Sequence, residues 1–185
     1  GFNPDYLLEI AITNSVFTNN RGGDVIPNNG GGGAVDIQDY TSATIEESSF
    51  SGNSAYVGGA INFLAGGQGT VSNCVFENKT ALLGGTIDIN SISNLGLRAA
   101  SATIEESVFR DNTAGDSGGA ILGFLQGSAT IRECDFFNNE APYAGAVGLV
   151  GAPNGNIRPT LSIDACLFNG NHADLEGGAI DFAEA

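Results

Sequence analysis

Tryptophan and methionine are absent from this chain, and only six of its 185 residues are lysine or arginine. Phosphate binding needs clustered basic side chains, whereas Arg21, Lys79, Arg98, Arg110, Arg132 and Arg158 are scattered, so no nucleic-acid partner is expected. Twenty-one acidic residues bring the net charge to −15, which also disfavours adsorption to anionic lipid. Such a surface repels itself in solution; no cofactor is expected, beyond weak surface binding of divalent cations. No apolar run approaches the roughly 20 residues of a transmembrane helix. The chain opens at Gly1 without a basic or apolar leader, and is read as a processed or excised segment. A single histidine, His172, leaves no Ser/His/Asp arrangement to propose. Three cysteines, an odd number, lack metal-ligand spacing.

Glycine, by contrast, is abundant at 28 residues, and it recurs in register. The segments AITNSVF, TIEESSF, TVSNCVF, TIEESVF, TIRECDF and SIDACLF align Phe17, Phe50, Phe76, Phe109, Phe136 and Phe168, spaced by 33, 26, 33, 27 and 32 residues. Five residues before each lies Ile12, Ile45, Val71, Ile104, Ile131 or Ile163, and two before lies Ser15, Ser48, Cys74, Ser107, Cys134 or Cys166. Three after lies Asn20, Asn53, Asn112, Asn139 or Asn171; the third repeat has Lys79 there and Asn78 one residue early. Each repeat then reaches a small-residue tetrad ending in Val35, Ile61, Ile87, Ile121, Val147 or Ile180.

A fixed period of this length means a solenoid, because one coil cannot bury its own apolar face. Short β-branched runs between Gly and Asn are strands and turns, with no sustained helical period. The expected fold is therefore all-β, a right-handed parallel β-helix of about six coils forming one domain over 1–185. Stacked parallel strands superpose equivalent side chains at about 4.8 Å, so the six Phe and the six Ile/Val become interior ladders. The Asn residues suit a left-handed bend and a hydrogen bond to the next coil's Asn. The paired glycines, such as Gly58–Gly59, Gly118–Gly119 and Gly177–Gly178, permit positive φ and close approach. Lys79 predicts a local irregularity. The three cysteines, in a small inward column, are expected as free thiols, since in-register parallel Cβ vectors suit a disulfide poorly. Arg132 is expected between Glu105 and Asp164 in an outward column.

Catalytic residues do not emerge. Glu46/Glu47 and Glu105/Glu106 are separated by Ser72 and Asn73, and Asp36, Asp88 and Asp181 are too dispersed for a compact site. A column of Thr44, Thr70, Thr103 and Thr130 lacks the paired Thr-x-Thr rows of an ice-binding array, leaving a β-propensity reading. Two insertions after the tetrad, 88–101 and 148–160, are rich in aliphatics. Among these, Ile92, Leu95, Leu97, Leu149, Val150 and Ile157 are candidate interface-loop residues, either a binding surface or folded back on the wall.

The FTNN, FSGN, FRDN, FFNN and FNGN segments, with the GGAV and GGAI tetrads, resemble the repeats of chlamydial polymorphic outer-membrane proteins and related bacterial surface proteins. FENK departs from that pattern, and GGTI and AGAV are near misses. The resemblance covers residues 8–182 and implies an extracellular or cell-surface β-helix, often an adhesin. No counterpart of the autotransporter barrel occurs here, so direct membrane insertion is not expected. The function expected is non-enzymatic, structural or adhesive, with a host or cell-surface ligand. The alternative is a carbohydrate-binding or polysaccharide-degrading β-helix. Since no helix or charged plug caps the pattern, the chain is expected to continue into neighbouring coils of a longer surface protein or to self-associate end to end as a filament subunit.

Overall fold

The structure, a computed structural model, describes residues 8–23, 31–91, 99–151 and 159–184. Strands too short to stand alone follow one another around six coils. The first holds β1 (Leu8–Thr13), β2 (Val16–Thr18) and β3 (Val35–Gln38). The second holds β4 (Thr41–Glu46), β5 (Ser49–Ser51), β6 (Ser54–Ala55) and β7 (Ile61–Leu64). The third runs through β8 (Gln68–Ser72), β9 (Val75–Glu77), β10 (Thr80–Ala81) and β11 (Ile87–Asn90). The fourth comprises β12 (Ser101–Glu105), β13 (Val108–Arg110), β14 (Thr113–Ala114) and β15 (Ile121–Leu125). The fifth comprises β16 (Ser128–Arg132), β17 (Asp135–Phe137), β18 (Glu140–Tyr143) and β19 (Val147–Gly151). The last has β20 (Leu161–Asp164), β21 (Leu167–Asn169), β22 (His172–Glu176) and β23 (Ile180–Glu184).

Every pairing between them is parallel, and each strand pairs with its equivalents one coil away, making four sheets that run the length of a parallel β-helix. The first sheet stacks β1, β4, β8, β12, β16 and β20; the second stacks β2, β5, β9, β13, β17 and β21. The third has five strands, β6 to β22, and the first coil joins it through an Arg21–Ser54 bridge. The fourth stacks β3, β7, β11, β15, β19 and β23.

The expected ladders form the core. The six Phe rings stack with centroids 4.7–5.0 Å apart and nearly parallel planes, the distance that strand pairing dictates. Phe50, Phe76, Phe109 and Phe136, with Ile45, Val71, Ile104 and Ile131, are fully buried; Phe17, Ile12, Phe168 and Ile163 in the outer coils are partly buried against them. A further inward column of Ile37, Phe63 and Ile89 completes the interior. Ile89 therefore belongs to a strand and the core, not to an insertion; two residues past the tetrad's aliphatic, it obeys the strand alternation.

Bends between sheets are chemically specified. Leaving the first sheet, Asn14, Glu47, Asn73, Glu106, Glu133 and Ala165 take φ of 48–52°. The Ser or Cys that follows closes the corner: the Ser107 hydroxyl accepts the Cys74 N–H at 3.1 Å and donates to the Glu105 carbonyl at 2.7 Å. Leaving the second sheet, the left-handed residue is two after the Phe (Asn19, Gly52, Asn78, Asp111, Asn138, Gly170), one position earlier than the sequence suggested. The Asn column instead forms the hydrogen-bond ladder. Asn112 Nδ2 donates to Asn139 Oδ1 at 2.8 Å, Asn139 Nδ2 to Asn171 Oδ1 at 2.9 Å, and Asn20 Nδ2 to Asn53 Oδ1 at 2.9 Å. Lys79 interrupts it. Buried to 1% exposure, its Nζ donates to the Glu77 carbonyl at 2.7 Å. Burial pushes its pKa down to about 7, with the Glu77 charge partly opposing.

The tetrad glycines divide two tasks. Gly118 takes φ of 63°, whereas a Cβ on Gly119 would sit 2.2 Å from the Gly145 carbonyl oxygen of the next coil. Coils touch backbone to backbone at that corner. Gly119→Ala is expected to cost at least about 3 kcal/mol or prevent folding, while Gly178→Ala, whose Cβ would meet nothing closer than 3.9 Å, should leave the thermal midpoint nearly unchanged. Lys79→Asn restores the ladder and is expected to add about 1–2 kcal/mol near neutral pH. Between pH 7 and 10.5 only the unfolded chain holds the Lys79 proton, so native stability rises with pH across that window. The variant's advantage should narrow accordingly in denaturant melts run from pH 6 to 10.

Candidate functional site

Outward positions of the first sheet make a broad polar surface feature. Alternation along each strand turns Ala102 and Ile104 inward and Ser101, Thr103 and Glu105 outward. Strand register then builds two outward columns, Ser42–Gln68–Ser101–Ser128 and Thr44–Thr70–Thr103–Thr130. They line a shallow open trough of about 390 Å³ that crosses four coils. Its rows read Ser-x-Thr or Gln-x-Thr. The Thr column was visible in the sequence, but its companion two residues earlier was missed because it mixes Ser with Gln. Hydroxyls at two fixed pitches, each both donor and acceptor, favour a ligand that is itself rich in hydroxyls.

Beside the trough runs the column Glu46–Ser72–Glu105–Arg132–Asp164. Arg132 Nη1 sits 3.1 Å from Glu105 Oε1. This is one of the two carboxylate partners expected; Asp164 occupies the other adjacent rung. The second sheet carries a pair not anticipated from sequence, Arg110 with Glu77, at 2.6 Å. Both arginines are half exposed, so each pair contributes on the order of 0–1 kcal/mol.

A third arrangement lies on the outer face of the fourth sheet, where Asp36, Asn62 and Asp88 form one column. Asn62 Nδ2 donates to Asp36 Oδ1 at 2.8 Å, and Gln38 donates to the other Asp36 oxygen. Asn62 and Asp88 are 0% and 1% exposed. Neither oxygen of Asp88 meets a donor, and neither does Asn62 Oδ1 or Asn90 Oδ1. Burial pushes the Asp88 carboxyl up to about 7; Asn90 lies near enough to ease this, though outside good hydrogen-bonding geometry. Asp36 and Asp88 lie two rungs apart, with Asn62 in the rung between them. Asp181 does lie apart, three rungs beyond Asp88 across Leu122 and Gly148.

The family model described as right handed beta helix region matches residues 8–180. The chain belongs to the right-handed β-helix family. No curated protein and no solved structure matches it.

Within this right-handed β-helix, the candidate interface-loop residues separate. Ile92, Leu95, Leu97 and Ile157 lie outside the described residues. Leu149 and Val150 are not in a loop but in β19, because the strand alternation continues past the tetrad. Leu149 Cδ1 lies 2.6 Å from where a Gly123 Cβ would stand, filling space that this glycine leaves in the column of Ile37, Phe63 and Ile89. Val150 faces outward and lines a small groove with Tyr143, Glu176 and Asp181. His172 is exposed at the start of β22, 3.3 Å from Asp174. Among the described residues, no group of three or more His, Cys, Asp or Glu is placed to hold a metal, and no helix is long and apolar enough to cross a membrane.

All three cysteines are free, Cys74 and Cys134 buried and Cys166 partly exposed. Burial pushes both the Cys74 and Cys134 thiols up, Cys134 to about 12. Thiol titration of the native protein should modify Cys166 alone, with all three reacting after unfolding; a Cys134–Cys166 bridge by mass spectrometry would contradict this. Arg132→Glu places three acids in successive rungs and should lower stability by about 0.5–1 kcal/mol, an effect that shrinks in molar salt.

Proposed function

We propose that this right-handed β-helix is a non-enzymatic adhesive scaffold of the cell surface or extracellular space that contacts glycan chains through the trough of its first sheet. The observation that carries this reading is the four-coil array of seven hydroxyls and the Gln68 amide, Ser42 to Ser128 and Thr44 to Thr130, held at fixed pitch by the strand register. A rigid array needs little ordering on binding, which favours many weak contacts along an extended ligand. The trough's lining contains no carboxylate, histidine or basic group, so it offers a surface for holding rather than for proton transfer. Likeness of the FxxN and GGA[ILV] repeats to chlamydial polymorphic outer-membrane proteins supports the surface location and the adhesive role. End-to-end stacking, by further coils or by a second copy, is part of the same proposal. Leu8 and Phe182, on inward columns of the first and last coils, are each 65% exposed.

Binding to a panel of neutral and acidic polysaccharides, with product analysis in the same samples, tests the reading. Saturable binding to at least one glycan is expected, without chain cleavage. Thr70→Lys and Thr103→Lys should abolish it, since each places a bulky charge in the trough while leaving the core untouched, with thermal midpoints unchanged. Equal binding by these variants would remove the trough from the proposal, and depolymerisation of any glycan would remove its non-enzymatic part.

A further inference from the structure

The column on the fourth sheet contains more acceptors than the protein can satisfy. Four buried oxygens, two from Asp88 and one each from Asn62 and Asn90, have no hydrogen-bond partner. Burying such groups without compensation costs several kcal/mol in general. Their placement is not accidental clutter. Asn62 stands directly opposite Asp88 in the neighbouring rung, and Asn90, two residues after Asp88, faces the same side. Asp36 accepts from Asn62 Nδ2, and Gln38 holds Asp36. With its nitrogen committed to Asp36, the Asn62 amide turns its oxygen away from that neighbour, toward the rung of Asp88. An oxygen therefore faces a carboxylate where two hydrogen-bonding side chains would normally pair donor to acceptor.

We propose that Asp88, Asn62 and Asn90 form a calcium-binding site on the outer face of the fourth sheet, with Asp36 positioning the Asn62 amide. The unpartnered atoms of these three side chains are all oxygens, the ligand type of hard cations. Dehydration selects among these: magnesium sheds its water reluctantly and demands near-octahedral geometry, whereas calcium accepts an irregular set of oxygens, as an enclosed site in a sheet wall requires. Asp88 carries charge into the site, Asp36 adds a second charge one rung beyond Asn62, and water completes the shell. The site ties the second and third coils together beside the Lys79 break in the Asn ladder, in the same pair of coils. It is separate from the trough and independent of the glycan proposal.

Because Asp88 is enclosed, chelator-stripped protein is unfolded and refolded with calcium, magnesium or neither in physiological potassium chloride, then examined by calorimetry and thermal unfolding. One saturable calcium per chain is expected, with a midpoint that climbs with calcium concentration and at least a tenfold weaker magnesium effect. Asp88→Asn should lose both the saturable site and the shift, while Glu46→Gln, which removes the same charge from the first sheet, keeps them. Asn62→Asp, an independent check should Asp88→Asn fail to fold, is expected to bind calcium at least tenfold more tightly and be less stable without it. Absence of saturable binding in the natural protein overturns the proposal, as does its retention in Asp88→Asn. Calcium-independent stability that rises in Asp88→Asn also overturns it, and assigns the oxygens to a proton or a buried water.

Discussion

Parallel pairing of each strand with its counterpart one coil away is the constraint on which the rest of this molecule depends. It fixes the vertical pitch of the coils, and everything that repeats must live with that pitch. Phe rings suit it because stacked aromatic faces accept separations near 5 Å. Asn suits it because one amide can accept from the coil on one side and donate to the coil on the other. Glycine suits it at the tetrad, where any side chain would meet a carbonyl oxygen. Repetition of the sequence is thus the imprint of one distance.

That constraint also explains what was legible in the residues alone. Positions where a single residue type satisfies the pitch, such as Phe109, Ile104, Asn112 and Gly119, announce themselves by recurring, and the six-coil architecture follows from them. Positions with several solutions do not. The bend after the first sheet accepts Asn, Glu or Ala, so nothing marked it as left-handed. The companion column of the trough mixes Ser with Gln for the same reason. The column linking Asp36 to Asp88 was overlooked because its middle member, Asn62, is an amide rather than an acid. Leu149 and Val150 were assigned to an insertion because the tetrad looked like the end of a coil, whereas the strand it introduces runs on for four more residues.

Deviations from a regular column are where this chain departs from a generic scaffold. Lys79 places an ammonium where an amide belongs and holds it there at the cost of its charge. Asp88 places a carboxylate in a wall that leaves both its oxygens unpartnered. Both fall in the third coil, whose tetrad is also the one with Thr86 in place of alanine. A coil that breaks three local rules carries specificity that its neighbours lack.

Backbone contact at the second tetrad glycine has an evolutionary corollary. Since the coil above meets that glycine chiefly with backbone carbonyls, this corner adds little sequence requirement of its own to the fit of one unit on another. Tandem duplication or deletion of such a unit would leave no mismatched seam at that corner, so the rod could change length without changing its cross-section.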